Sequence, residues 1–198
     1  MHCIKLRIEK LIAGHRMDVE HTPLDGLLVL TPKRFGDKRG WFSEVWNEKT
    51  AEIAGIHTTF VQDNHSYSAS YGTVRGLHYQ SPPFAQAKLV RCGAGAVWDV
   101  AVDARKNSPT YGNWFGIELS AENGKQLFIP EGFLHGFSTL TPNAELLYKC
   151  SNFYDPESDG SVLFSSAVLE IDWKIADIAE LSDKDKEAAD FATWDSPF

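Results

Sequence analysis

Residues 73–91 read TVRGLHYQSPPFAQAKLVR and contain the pattern from which we predict the fold. Two runs with the composition of strands lie on either side of a Ser-Pro-Pro segment, which is typical of strands joined by a turn. The first run carries Arg75 and His78, and the second carries Lys88 and Arg91. We therefore predict a hairpin that places an imidazole, which titrates near neutral pH, beside cations that can hold an anion.

Short strand patterns separated by Gly- and Pro-containing turns continue on both sides of this segment. They are predicted at 27–31, 41–46, 58–63, 94–103, 114–119, 126–130, 133–139, 144–150 and 161–164. The polar stretch 64–72 is predicted as a turn. Asn47 can cap a short helix over 48–54, and Ser182 can cap another with Asp185 at its third position. The pattern predicts an all-β sandwich or barrel with a few short helices and a helical C-terminal segment.

One predicted strand carries two acidic residues on a single face. In 94–103, Asp99 and Asp103 alternate with residues that point the other way. Asp103 lies at the end of the run and is expected to face solvent, whereas Asp99 lies deeper in the strand. This face is therefore predicted to be either a polar lumen or a solvent-exposed surface.

Length and composition indicate a single globular domain. The chain has 198 residues, of which 43% are hydrophobic and 12% aromatic, which is enough for one core. Residues 1–16 look unlike the rest of the chain, so we interpret them as an N-terminal extension that could be non-native or disordered. Residues 17–198 are then the single domain. The sequence has neither the apolar run of a membrane span nor the pattern of a signal peptide.

Charge and cysteine content limit the partners and the compartment. The formal net charge is −8, which argues against nucleic acid or an anionic membrane as the main partner. Cys3, Cys92 and Cys150 are too few for a disulfide framework and lack the close pairing of a zinc site. We therefore expect a reducing, cytoplasmic location.

The ionisable residues on the predicted strands suggest acid–base chemistry without a cofactor. His78 is a candidate general base and Tyr148 a candidate general acid, and Lys88 could stabilise an enolate oxygen. Taken singly, a structural role is the commoner explanation for His78 and Tyr148. No His-x-His pair or neighbouring Glu accompanies His78 and His135, so no metal site is predicted. Motifs of dinucleotide, P-loop and serine-hydrolase enzymes are missing.

Eight motifs, in order along the chain, resemble the dTDP-4-dehydrorhamnose 3,5-epimerase family. They are FGDxRGxF at 35–42, FVQDNHS at 60–66, RGLHYQ at 75–80, QAKLVRC at 86–92, DVAVD at 99–103, SPTYG at 108–112, IPEGFxHGF at 129–137 and LYK at 147–149. The resemblance extends from about residue 27 to about residue 185. It implies a metal-free, cupin-like jelly roll that forms a homodimer and needs no cofactor.

The resemblance also implies a reaction. The enzyme would invert C3 and C5 of dTDP-4-dehydro-6-deoxy-D-glucose through an enolate and form dTDP-4-dehydro-L-rhamnose. His78 matches the family's catalytic base, Tyr148 its general acid, and Lys88 the lysine near the sugar carbonyl. Asp185 matches the carboxylate that pairs with the histidine, a role that competes with its predicted role in the helix cap.

Other positions match residues that line the nucleotide-sugar site of the family. They are Arg39, Glu44, Gln62, Asn64, Arg75, His135, Tyr154, Asp159 and Lys184. Tyr154 matches the tyrosine that stacks on thymine, and Arg39 and Arg75 are expected to meet the diphosphate. Asp159 stands where a glutamate is common.

Three alternative functions stay open. The first is an epimerase of an antibiotic-sugar pathway that inverts only C3 or C5, because such relatives keep a similar His and Tyr. A metal-dependent cupin oxygenase and a non-catalytic sugar-nucleotide binding protein are more distant alternatives. Stoichiometric iron would favour the oxygenase, and dTDP binding without proton exchange would favour the binding protein.

Overall fold

Fourteen strands and two short helices occur in the part of the chain that the computed structural model describes, residues 7–9, 17–178 and 180–198. The strands are β1 Arg7–Glu9, β2 Met17–His21, β3 Leu28–Pro32, β4 Arg34–Asp37, β5 Gly40–Ser43, β6 Gln62–Ser68, β7 Val74–Gln80, β8 Lys88–Ala94, β9 Ala96–Asp103, β10 Trp114–Ser120, β11 Gln126–Ile129, β12 Phe133–Thr139, β13 Ala144–Cys150 and β14 Asp159–Ser161. The helices are α1 Glu48–Ile53 and α2 Asp183–Lys186. The predicted all-β class is confirmed.

The connections between strands are those of a jelly roll. A seven-stranded sheet has the order β1-β2-β3-β11-β8-β13-β6, and a five-stranded sheet has the order β10-β9-β12-β7-β14. Strands β6 to β13 therefore lie as 6-13-8-11 in one sheet and 7-12-9-10 in the other, and every neighbouring pair is antiparallel. Each of these four-stranded arrangements draws its strands from both halves of the segment β6 to β13, as in a Greek key. Eight antiparallel strands arranged in this way form a jelly roll. Strands β4 and β5 form a separate two-stranded sheet.

Side-chain alternation fills the space between the two sheets with apolar residues. Val90 and Leu146 from the seven-stranded sheet share one buried cluster with Val97 and Phe137 from the five-stranded sheet. The outer face of the five-stranded sheet packs against the C-terminal segment, and α1 covers part of the outer face of the seven-stranded sheet. Polar residues on the inward positions are therefore the ones that can line an internal site.

Several predictions about the strands were wrong. The strands predicted at 58–63 and 161–164 overlap β6 and β14 by only two residues and one residue, respectively. Strands β7 and β8 belong to different sheets, so residues 73–91 are not a hairpin but a connection between sheets. Residues 62–68, most of which were predicted to lie in a turn, form β6 and pair with β13 over seven residues. Both faces of β6 carry polar side chains, so the strand lacks the apolar–polar alternation that identifies a half-buried strand.

The two predicted helix caps are confirmed. The Asn47 side chain accepts a hydrogen bond from the Thr50 N–H, and α1 follows directly. The Ser182 side chain accepts one from the Asp185 N–H, and α2 follows as a single short helix in the C-terminal segment. Of residues 1–16, only β1 is described, and it pairs with β2. The interpretation of 1–16 as an extension stays a prediction.

Asp103, expected to face solvent, is fully buried. Its carboxylate accepts hydrogen bonds from the Arg105 guanidinium at 2.8 Å and from the Ser108 and Thr110 hydroxyls at 2.5 and 2.6 Å. Burial acts to raise the pKa of Asp103, but these hydrogen bonds outweigh it and lower the pKa to about 2. The expectation failed because residues 104–113 fold back over the end of β9 and supply hydrogen-bond donors to the Asp103 carboxylate.

Acidification is expected to remove the stabilisation that the Asp103 carboxylate provides. An unfolded aspartate has a pKa of about 3.9, so a folded pKa of about 2 contributes roughly 2–3 kcal/mol to the free energy of unfolding. Because the folded pKa is depressed, this contribution is complete above the unfolded pKa and falls to about half by pH 3. Urea titrations of wild type and Asp103→Asn should show a stability difference that shrinks from pH 7 to pH 3. A difference independent of pH would contradict the assignment.

Candidate active site

His78 on β7 is held by a buried carboxylate from α2. Its Nε2 lies 2.6 Å from Asp185 Oδ1, and the side chain of Asp185 is 2% exposed. Burial acts to raise the pKa of Asp185, but hydrogen bonds from His78, from the Ser182 hydroxyl and from the Gly76 N–H outweigh it and lower the pKa. None of the described residues hydrogen-bonds the Nδ1 atom of His78. The pair therefore fixes the imidazole and leaves one ring nitrogen for a ligand.

The two roles predicted for Asp185 do not compete. Its backbone N–H donates to Ser182 Oγ at 3.2 Å, as the cap requires. Its Oδ2 accepts from the same Ser182 hydroxyl at 2.8 Å, while Oδ1 faces His78. The cap therefore positions the carboxylate that positions the imidazole.

A second histidine–carboxylate pair lies beside the first. His135 on β12 is the register partner of His78, and its Nε2 lies 3.0 Å from Asp99 Oδ2. His135 is buried, and burial lowers its pKa even though Asp99 opposes the change. Asp99 was recognised as a strand residue but was not assigned to the site. The available signal was a pair of acidic residues, Asp99 and Asp103, on a strand face that otherwise carries small apolar residues.

The seven-stranded sheet supplies a lysine and a tyrosine that face these histidines. Tyr148 packs against the cluster between the sheets, and the Lys88 Nζ atom lies 5.9 Å from the centre of the Tyr148 ring. Burial lowers the pKa of Lys88, although the negative charges of Asp99 and Asp159 oppose the change. Burial likewise raises the pKa of Tyr148. An imidazole on one sheet thus faces a phenol and an amine on the other.

Four more of the predicted residues lie around this group, which we call the inward cluster (His78, Lys88, His135, Tyr148 and Asp185). Tyr154 donates its hydroxyl to Asp159 Oδ2 at 3.3 Å, and Lys184 Nζ donates to the same oxygen at 2.5 Å. Arg75 is on the inward face of β7 and donates to Ser68 Oγ at 3.3 Å. The ring of Tyr154 is largely exposed, so a planar group can stack on it.

Gln62 and Asn64 occupy inward positions of β6, opposite Cys150 and Tyr148 of β13. Gln62 accepts a hydrogen bond from the Tyr154 N–H and donates one to Asn64, which in turn donates to the Cys150 sulfur. Cys150 was not assigned to the site, and no sequence signal could have found it, since a buried free cysteine is ordinary core composition. These residues form a polar wall next to the tyrosine hydroxyl.

Two predicted residues are not brought to the inward cluster of their own chain. Arg39 lies on the β4–β5 turn with its side chain 84% exposed and pairs with Asp37 at 2.6 Å. Glu44 lines a pocket of about 280 Å³ that also contains Arg91 and Lys149. Those two residues occupy the outward positions of β8 and β13, so the pocket lies on the other face of the seven-stranded sheet.

Metal-binding and membrane-spanning features were sought in the same described residues. Within 17–178 and 180–198, no three His, Cys, Asp or Glu side chains are grouped so that they could hold a metal ion. His78 and His135 each face a carboxylate instead. None of the described helices has the length and apolar character needed to cross a membrane.

Comparison with known proteins gives a consistent result. A family model described as dTDP-4-dehydrorhamnose 3,5-epimerase matches residues 21–193. The dTDP-4-dehydrorhamnose 3,5-epimerase of Salmonella typhimurium (strain LT2) is 53% identical over 173 residues, which cover 87% of this chain and 94% of that protein.

Solved structures agree with the sequence comparison. The dTDP-6-deoxy-D-glucose-3,5-epimerase of Legionella pneumophila, in complex with dTDP-4-keto-L-rhamnose, superposes with a TM-score of 0.86 at 45% identity, covering 90% of this chain and 95% of that one. A 3'-monoepimerase from Streptomyces bikiniensis, in complex with dTDP-quinovose, superposes with a TM-score of 0.81 at 34% identity, covering 87% of both chains.

Proposed function

Because the chain belongs to the dTDP-4-dehydrorhamnose 3,5-epimerase family, we propose that it inverts C3 and C5 of dTDP-4-dehydro-6-deoxy-D-glucose and so forms dTDP-4-dehydro-L-rhamnose. The observation that carries this proposal is the placement of a carboxylate-held imidazole, His78, opposite Tyr148 and Lys88 on the facing sheet. A base and an acid on opposite sides of a sugar ring are what inversion of a carbon requires.

Each residue of the inward cluster has a chemical task in this reaction. C3 and C5 both flank the C4 carbonyl, so the same carbonyl acidifies the proton on either carbon. His78 takes that proton, and the Asp185 carboxylate stabilises the imidazolium that forms. Lys88 donates to the enolate oxygen at C4, and Tyr148 returns a proton to the opposite face. His135, which lies beside His78 and is held by Asp99, would help to bind this oxygen.

The nucleotide end of the substrate would lie along the exposed side of the cluster. The Tyr154 ring is 59% exposed and can stack on thymine, which gives affinity without reading every base edge. Arg75 can meet the diphosphate, for which a guanidinium fork is well suited. Asp159 and Lys184 would contact the sugar-nucleotide between the thymine and the diphosphate. Gln62 and Asn64 would line the inner wall of the binding site.

The homodimer that we propose would account for the exposed apolar residues of the β4–β5 hairpin. Phe35, Trp41 and Phe42 on this hairpin are 43%, 58% and 64% exposed, although they are large and apolar. The same hairpin carries Arg39, which the family resemblance assigns to the nucleotide-sugar site. A second copy that receives the hairpin would bury the aromatic rings and bring Arg39 to the diphosphate of its own site.

Mixing two weakly active variants tests whether Arg39 of one chain acts in the site of the other. If Arg39 acts across the dimer, a heterodimer of His78→Asn and Arg39→Ala chains contains one site with both residues intact. We expect the mixture, after co-refolding, to recover about half of the activity per heterodimer, whereas each variant alone is weak. Recovery of no activity by a heterodimer isolated through different affinity tags on the two chains would mean that Arg39 does not act in the partner.

Proton NMR of the substrate with the protein in D2O tests the function itself. Loss of both the C3 and the C5 proton signals is expected. Loss of one signal alone would favour a single-carbon epimerase, the alternative that the likeness to the Streptomyces bikiniensis 3'-monoepimerase supports. No exchange at either carbon, together with intact binding of dTDP, would indicate a non-catalytic sugar-nucleotide binding protein.

The proposed reaction needs no metal or other cofactor, since the protons move only between side chains and the sugar. We also propose the cytoplasmic location that the cysteine content predicts. Cys92 and Cys150 are both free and buried, which suits a reducing compartment.

A further inference from the structure

A buried glutamine at the end of β7 bonds three backbone groups from two separate segments. Gln80 is 4% exposed and follows His78 by two positions, so both side chains lie on the inward face of the strand. Its Nε2 atom donates to Phe84 O at 2.7 Å and to Phe153 O at 3.1 Å, and its Oε1 atom accepts from the Asp155 N–H at 3.0 Å. One side chain thus ties the connection from β7 to β8 to the connection from β13 to β14.

The partners of Gln80 fix the orientation of its amide. A backbone carbonyl can only accept and a backbone N–H can only donate, so Nε2 must face the two carbonyls and Oε1 must face the Asp155 N–H. Both amide hydrogens are then used within the chain. Gln80 therefore has no amide hydrogen left for a ligand, and its hydrogen bonds hold the backbone instead.

The segment that Gln80 holds carries Tyr154, the ring proposed to stack on thymine. Gln80 bonds the residue on each side of Tyr154, and Gln62 Oε1 accepts from the Tyr154 N–H itself at 3.0 Å. Three consecutive residues are thus held by side chains from β7 and β6. Because the Tyr154 side chain is 59% exposed, the backbone that carries the ring, rather than packing around it, sets its position.

We propose that Gln80 is a positioning residue for the nucleotide base, because it sets the place of the Tyr154 ring relative to the His78 imidazole. The inference rests on the proposed function, in which thymine stacks on Tyr154 while the sugar reaches His78. Gln80 and His78 project from the same strand, so the distance between the ring and the imidazole is tied to one element. A nucleotide sugar reaches both groups only if this distance matches its length.

Replacing Gln80 by methionine, which has a similar length, removes the donor to Phe84 O and Phe153 O. Buried backbone groups that lose a partner are satisfied again only if the segment shifts toward water. If the Tyr154 ring is then correctly placed about a tenth of the time, the apparent Kd for dTDP rises about tenfold. The KM of the substrate should rise to the same extent with kcat unchanged, because the contact is lost equally from the bound substrate and the transition state.

The first test compares two probes by isothermal titration calorimetry. dTDP carries the base, whereas inorganic pyrophosphate carries only the phosphates. Gln80→Met should weaken the binding of dTDP about tenfold and leave the binding of pyrophosphate unchanged.

Ser138→Ala is the matched control for the loss of a buried side-chain bond to the backbone. The Ser138 hydroxyl donates to Trp173 O at 2.6 Å on the outer face of the same sheet. Its removal should lower the free energy of unfolding but leave both dissociation constants unchanged.

A double-mutant cycle then determines whether Gln80 acts through Tyr154. Tyr154→Ala removes the ring and should weaken dTDP binding about 10–100-fold, the range for one base stacked on an aromatic side chain. In the Tyr154→Ala background, Gln80→Met should cause no further weakening, since no ring is left to be placed.

The outcomes separate this inference from the function on which it rests. Equal weakening of dTDP and pyrophosphate, or additive effects of the two substitutions, would show that Gln80 only maintains the site as a whole, and the inference would be wrong. Unchanged dTDP binding in Gln80→Met or in Tyr154→Ala would also overturn it. These measurements need no turnover, so an absence of proton exchange in wild type would overturn the proposed reaction alone. Should Gln80→Met not fold, Gln80→Asn, whose shorter side chain cannot reach all three backbone groups at once, provides the same comparison.

Discussion

Replacing His78 by asparagine is expected to lower kcat for epimerisation by about 10²–10⁴-fold. Asparagine has no group that can take a proton from carbon at neutral pH. Deuterium uptake at C3 and at C5 should fall together, because one imidazole serves both carbons. Single-turnover NMR in D2O measures both rates in one experiment.

The matched control for this variant is His65→Asn. His65 Nε2 lies 3.1 Å from Glu145 Oε2, and the side chain of His65 is 55% exposed. Like His78, it is a histidine paired with a carboxylate, but it lies outside the inward cluster. It should keep wild-type turnover. Wild-type exchange in His78→Asn would refute the assignment of the base, and loss of exchange at only one carbon would require a second base for the other.

Replacing Tyr148 by phenylalanine is expected to lower inversion by about 10²–10⁴-fold while deuterium exchange persists. The ring still packs against the apolar cluster between the sheets, so the fold should be retained. His78 can still remove a proton and return a deuteron to the same face, which exchanges the label without inverting the carbon. The ratio of exchange to inversion, followed by NMR, is the diagnostic quantity.

Tyr67→Phe is the control for the loss of a hydroxyl. Tyr67 is on the outward face of β6, is exposed, and donates its hydroxyl to Asn143 Oδ1 at 2.5 Å. Its removal should change neither exchange nor inversion. If exchange and inversion fell in parallel in Tyr148→Phe, the tyrosine would be needed for proton removal as well, and its role as the acid on the opposite face would not stand.

The contrast between these two variants has a geometric basis. His78 belongs to the five-stranded sheet and Tyr148 to the seven-stranded sheet, so each reaches the sugar from its own side. Had residues 73–91 formed the hairpin that their local pattern predicts, His78 and Lys88 would lie on neighbouring strands of one sheet. A base and a lysine on the same side of the sugar could form an enolate. Inversion would still need a proton donor on the opposite side of the sugar, which one sheet alone does not supply.

Local sequence patterns were sufficient to predict the fold class and the starts of the two described helices. Short strands with Gly and Pro turns predicted the all-β class, and single polar residues, Asn47 and Ser182, predicted where both helices begin. These features depend on residues within a few positions of each other, so a sequence displays them directly. The motifs around His78 and Tyr148 likewise predicted a base and an acid, whose roles stay proposals until the variants are measured.

Other features depend on residues far apart in the chain, and local patterns could not predict them. Asp99 meets His135, 36 positions away, because β9 and β12 are neighbours. The separation of β7 and β8 into two sheets has the same origin. Pairing between strands is decided by how much apolar surface the whole jelly roll can bury, a quantity that no single segment contains.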